Sequence, residues 1–198
     1  MIVENGTAPK KITLSDAAEQ RMQKLISLYP QRKSAVMPAL YIAQEELGWL
    51  TNDAISWVAS SIGVSEAHVR AVATFYTMYY KRPVGKYHIQ VCRTLSCMLC
   101  GAKEITAYVA QRFGIKPGET TKDGMWSYEE VECLGSCGTA PLVQINDVFF
   151  ESLSSEKLGQ IIQRIEHEKP DLRYSTVKGE LGQGMPDQPR SVVWKGSS

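Results

Sequence analysis

Five cysteines, Cys92, Cys97, Cys100, Cys133 and Cys137, crowd into one stretch of a 198-residue chain. Their odd number and clustering argue against a disulfide scaffold and for chemistry at sulfur. Four residues separate Cys92 from Cys97, and three separate Cys133 from Cys137. Four thiolates brought to one place suit an iron–sulfur cluster or zinc. Zinc favours tighter knuckles of two intervening residues, so the spacing lowers that option without removing it. Cys92, Cys97 and Cys100 also follow plant-type ferredoxin spacing, an assignment that strands Cys133 or Cys137. A third option is the dithiol Cys97-Met98-Leu99-Cys100 at a helix start, the place where a thiol–disulfide enzyme lowers a thiol pKa. It leaves three cysteines unexplained. The two-pair set Cys92, Cys97, Cys133 and Cys137 accounts for four of the five, with Cys100 read as an ordinary buried thiol.

Reducing a thiolate-bound cluster adds negative charge to an anionic unit, which the protein must stabilise. Backbone N–H groups at the helix start near Gly101 and in the Gly135–Gly138 loop are the expected donors. Arg93 and Lys103 read as solvated surface cations, and Glu129, Glu130 and Glu132 would oppose reduction if close.

Each cysteine pair needs a strand to deliver it. Tyr87–Cys92 alternates as a strand, and the loop to Gly101 leads into a helix carrying Ile105, Tyr108, Val109 and Phe113. Trp126–Glu132 reads as a second strand, followed by the loop Cys133–Gly138. If the two strands are parallel neighbours, both loops leave the same sheet edge and the four sulfurs converge. Leu142–Ile145 and Val148–Phe150 pair across an Asn146-Asp147 turn. Ser154 caps a closing helix with Leu158, Ile161, Ile162 and Ile165 inward, stapled by Leu153. Strand, helix, hairpin and helix make an α/β, thioredoxin-like arrangement.

Before this lies a helical bundle. Ser15 opens a helix that Pro30 stops. Ser34 is expected to cap a second, with Pro38 in its first turn and Gly48 at its end, Thr51 a third ending at Gly63, and Ser65 a fourth. The aromatic run Phe75, Tyr76, Tyr79 and Tyr80 is expected to pack on the next domain. The organisation is therefore a flexible arm over 1–12, a helical docking domain over 13–82, a thioredoxin-like domain over 83–168 and an extended tail over 169–198.

The charge balance of 22 basic and 21 acidic side chains gives no drive toward nucleic acid. With no long apolar run and no signal-like start, a cytosolic protein without membrane insertion is expected. No nucleotide-binding glycine motif occurs. His68, His88 and His167 are scattered and are assigned no metal.

The chain resembles the small thioredoxin-like [2Fe-2S] subunit of respiratory complex I, the NADH:quinone oxidoreductase. The likeness is carried by Arg32 to Leu40, Val72-Ala73-Thr74-Phe75-Tyr76-Thr77-Met78-Tyr79, Pro83 to Tyr87, Cys92 with Cys97, Cys133 to Pro141 and Val143 to Asn146. It implies one [2Fe-2S] cluster on Cys92, Cys97, Cys133 and Cys137, with Cys100 outside the ligand set and no catalytic residue on the chain. It further implies FMN and NADH on a partner flavoprotein subunit, contacts with other hydrophilic-arm subunits, and a place at the cytoplasmic face of a bacterial inner membrane. Similar subunits serve NAD-linked hydrogenases and formate dehydrogenases.

Overall fold

Hydroxyl side chains set where most of the helices begin. In the computed structural model, which describes Ile12 and residues 14–173, two compact units divide between Pro83 and Val84. The first contains α1 (Asp16–Ser27), α2 (Val36–Leu47), α3 (Asn52–Ile62) and α4 (Glu66–Phe75). Ser15, Thr51 and Ser65 accept from the N–H groups of Ala18, Ala54 and His68. Each such cap stabilises its helix by about 1 kcal/mol.

Ser34 does not cap α2. Arg32–Ala35 already forms a 3-10 turn that runs into the helix, and Ala35 stands at the cap position without a side-chain bond. Pro38 does fall in the first turn, where its missing N–H costs nothing. The four helices bury Met22, Leu25, Leu40, Ile42, Ile55, Ile62 and Val69 in a shared core. Tyr76 and Tyr79 pack into that core, so the aromatic run serves its own unit. Tyr79 is fully buried, its hydroxyl donates to the Met37 carbonyl at 2.9 Å, and burial pushes its phenol pKa up. Phe75 remains 78% exposed.

The second unit runs β1 (Tyr87–Cys92), α5 (Leu95–Leu99), α6 (Ala102–Phe113), β2 (Trp126–Val131), β3 (Val143–Ile145), β4 (Val148–Phe150) and α7 (Ser155–Glu168). The sheet order is β2-β1-β3-β4. β1 and β2 are parallel, and β3 is antiparallel to both β1 and β4. Parallel neighbours need a crossover, which the segment containing α6 provides. Asn146 turns the hairpin at φ 53°, and Ser154 caps α7 by accepting from Lys157 N–H. Leu153 and Leu158 lie in one core with Ile105, Val109, Ile162, Ile165, Ile89 and Tyr128. α5 was not expected, since the span from Arg93 to Gly101 reads as loop.

β1 is buried along its length, so its polar side chains need partners. His88 Nδ1 lies 2.8 Å from Ser127 Oγ, and its Nε2 lies 3.6 Å from a Glu129 oxygen. At the far end of the chain, Tyr87 donates to the Pro170 carbonyl, and Asp147 N–H donates to the carbonyl of buried Leu172. The rest of the tail expected beyond residue 173, and all of the arm before Ile12, lie outside the described residues. Among the described residues, no helix is long and apolar enough to cross a membrane.

Candidate metal centre

The strand register delivers the cysteines. Cys92 pairs with Val131 at the carboxyl ends of parallel β1 and β2, so the loops that follow both strands leave one edge of the sheet. Antiparallel β3 starts at that edge, with Val143 opposite Val91, and β4 ends there, with Phe150 opposite Val143. Pro141, Leu142 and Glu151 are therefore carried to the same place as the two cysteine loops.

The first loop turns into α5, which holds Cys97. Cys92 and Cys97 are both buried and pack with Ala102 and Leu142, with Met98, Leu134 and Ala140 around them. The second loop holds Cys133 and Cys137 in exposed positions, their sulfurs 3.5 Å apart. Gly135 takes φ 88°, a left-handed conformation that strains any L side chain, and its N–H returns to Cys133 Sγ at 3.4 Å. Thr139 donates to Glu151 at 2.7 Å, and Ser136 donates to the same carboxylate. Those two bonds hold the Glu151 carboxyl below its ordinary pKa. Ser152 N–H and Leu153 N–H close the loop onto the Thr139 and Pro141 carbonyls.

Each pair contains one thiol that ionises readily and one that does not. Burial pushes Cys92 up, but hydrogen bonds from the Thr94 hydroxyl and N–H, from Leu134 N–H and from Cys97 outweigh it and bring the thiol below its ordinary value. Burial pushes Cys97 up to about 11, with Leu142 N–H opposing and the neighbouring Cys92 and Cys137 adding to the rise. Gly135 N–H, Cys137 and the Thr94 hydroxyl lower Cys133, while its neighbour Cys133 raises Cys137 and the Ser96 hydroxyl opposes that rise. Interactions run within and between the pairs, so the four sulfurs form one electrostatic group. Among the described residues, no three His, Cys, Asp or Glu groups are drawn together as a single ion would hold them. Two separate sulfur pairs with N–H and O–H donors aimed at them fit a thiolate-bound two-iron unit in donor chemistry and charge.

Cys100 lies outside this group. It is exposed at the end of α5, contrary to the expected buried thiol. The dithiol option needs a low-pKa nucleophile, and buried Cys97, raised to about 11, is the opposite. The expected donors near Gly101 are also displaced, because Gly101 N–H bonds the Met98 carbonyl. The donors are instead Thr94, Leu134, Gly135 and Leu142, with only Gly135 from the expected loop. Arg93 forms a 2.6 Å ion pair with Glu132, so the expected cation and one expected anion offset each other. Lys103 is exposed on α6, and Glu130 accepts from the Tyr128 hydroxyl at 3.0 Å. Thr94 and Ser96, interleaved with Cys92 and Cys97, were the available sequence signal for hydroxyl donors. Glu151 has none outside the strand topology.

Residues 22–166 match the family model of the thioredoxin-like [2Fe-2S] ferredoxin. A subunit of the NADH-quinone oxidoreductase of Thermus thermophilus is 45% identical over 134 residues, 67% of this chain and 74% of that protein. Its counterpart in the NADH-quinone oxidoreductase of Rickettsia conorii is 42% identical over 149 residues, covering 74% and 89% of the two chains. The corresponding protein of Rhizobium meliloti is 39% identical over 144 residues, covering 73% and 86%. Among solved structures, an NAD+-reducing [NiFe]-hydrogenase superposes with a TM-score of 0.59 at 21% identity, over 68% of this chain and 23% of that one. With the family model spanning both units and four sulfurs gathered at one sheet edge, the chain belongs to the thioredoxin-like [2Fe-2S] ferredoxin family.

Proposed function

We propose that the chain is an electron-transfer subunit of an NADH:quinone oxidoreductase, holding one [2Fe-2S] cluster on Cys92, Cys97, Cys133 and Cys137. The single observation that carries the ligand set is the delivery of two cysteine pairs to one edge by parallel β1 and β2. When bound, the cluster supplies reversible one-electron chemistry at iron. The chain's own residues hold it and tune it: the Thr94 hydroxyl and the N–H groups of Leu134, Gly135 and Leu142 meet the sulfurs, and the Ser136–Thr139–Glu151 network fixes the second loop. FMN and NADH reside on a partner flavoprotein subunit, with which this chain exchanges single electrons. The helical unit is a docking element for that subunit and its hydrophilic-arm neighbours, at the cytoplasmic face of the membrane. The identity of 39–45% to quinone oxidoreductase subunits supports this assembly over a hydrogenase or formate dehydrogenase.

The test is visible absorption and low-temperature EPR of anaerobically purified or reconstituted protein, with iron and acid-labile sulfide counted. Equal iron and sulfide with an EPR signal only on reduction, lost on replacing any of the four cysteines but kept in Cys100→Ala, is the expected outcome. A colourless, EPR-silent protein after reconstitution overturns the reading.

A further inference from the structure

A threonine at a helix start ordinarily turns its hydroxyl onto the N–H of the third helical residue, as Thr51 does here with Ala54 at 3.0 Å. Thr94 holds the cap position of α5 in extended conformation, yet its side chain makes no capping bond. Its Oγ1 lies instead 3.2 Å from Cys92 Sγ. The same hydroxyl also reaches the sulfur of Cys133, so it touches one thiol from each loop. Thr94 is half-buried, which limits competition from water. Thr94 therefore forgoes its local bond and directs its one proton to two sulfurs that are distant in sequence.

We propose that Thr94 is a positioning and potential-setting residue, whose hydroxyl ties Cys92 to Cys133 and favours the reduced state of the cluster they hold. The inference rests on the ligand set proposed above. Reduction places more negative charge on the ligand sulfurs, so a donor hydrogen bond to sulfur is stronger in the reduced state and raises the potential. The effect needs no added reactant, because the proton stays on Oγ1 while one electron enters the cluster. The methyl group of Thr94 is not part of the mechanism, so serine at this position should serve and valine should not.

The experiment is an EPR-monitored, mediated redox titration of the full chain as wild type, Thr94→Val and Thr94→Ser, each with iron and sulfide counted first. Thr94→Val should lose about tenfold in the equilibrium constant for one-electron reduction, about 59 mV downward for a one-electron couple. Thr94→Ser should return to the wild-type potential. Should Thr94→Val not retain a cluster, Thr94→Ala carries the same comparison. A wild-type potential in either loaded variant, or a Thr94→Ser potential as low as that of the hydroxyl-free variant, overturns the proposal. Absence of iron and sulfide from reconstituted wild type defeats the ligand reading instead, and is seen before any variant is titrated.

Discussion

The two cysteine loops reach the same sheet edge by different means. Cys92 and Cys97 are fixed by burial: one ends an interior strand, the other sits in α5, and both pack against Leu142 and Ala102. Cys133 and Cys137 are exposed, and polar contacts shape their loop: Gly135 N–H on sulfur, and Ser136 and Thr139 on Glu151. The core builds one half of the site, and hydrogen bonds build the other. A core-built position tolerates little displacement, because packed interiors are dense, whereas a hydrogen-bonded loop can shift while keeping some of its bonds.

The largest test of this asymmetry is to replace one ligand in each loop. Serine forms shorter bonds to iron than cysteine, so the protein must move to keep a cluster. Cys97→Ser is expected to abolish iron and sulfide retention, and Cys137→Ser to keep part of it with an altered EPR signal. Equal retention in the two variants breaks the comparison.

Next in size is the core that holds the first loop. Leu142 is 1% exposed, and its truncation to alanine removes packing against both buried sulfurs. Leu142→Ala should destabilise the apoprotein by about 3 kcal/mol, in the usual range for a buried leucine. Urea unfolding measures it, and a loss below about 1 kcal/mol would mean that the site collapses without cost and that the first loop is not core-built.

The second loop should answer to Glu151 instead. Glu151→Gln weakens acceptance from Ser136 and Thr139 without touching the core. Iron release to a chelator should quicken several-fold with little change in the urea midpoint, a pattern opposite to that of Leu142→Ala. The folded-state pKa of Glu151 lies below its ordinary 4.5, so its contribution is fully present above that pH and is lost as pH falls through the folded value. Acid should therefore cost wild type more stability than the glutamine variant. Parallel acid curves for the two would remove the carboxylate from the account.

The same contrast separates what was legible in the sequence from what was not. Ser15, Thr51, Ser65 and Ser154 cap their helices as expected, and the strand and hairpin positions hold, because these features depend on residues within a turn or two. Ser34 misled because a 3-10 turn upstream had already begun the helix. α5 was missed because it turns one cysteine inward and leaves Leu95 and Leu99 exposed, so it carries no apolar stripe. Pairing of the cysteines followed from parallel strands. Their hydrogen-bond donors did not, since Leu142 and Glu151 meet the loops only through the register of β3 and β4.

The smallest expected effect concerns charge at the rim of the first loop. Arg93 and Glu132 pair at 2.6 Å across the two loops, both exposed, so their bond adds little to stability and is weakened further by salt. Arg93→Ala leaves the Glu132 carboxylate uncompensated one residue before Cys133. It should lower the midpoint potential by less than Thr94→Val does, and raising the ionic strength should shrink the shift. Removing both charges together should restore the wild-type potential, because the pair presents no net charge to the sulfurs. A potential that stays low in the double variant would mean that Arg93 acts on the site alone. The first loop would then contribute charge as well as packing, and the division between a core-built half and a hydrogen-bonded half would need a third, electrostatic part.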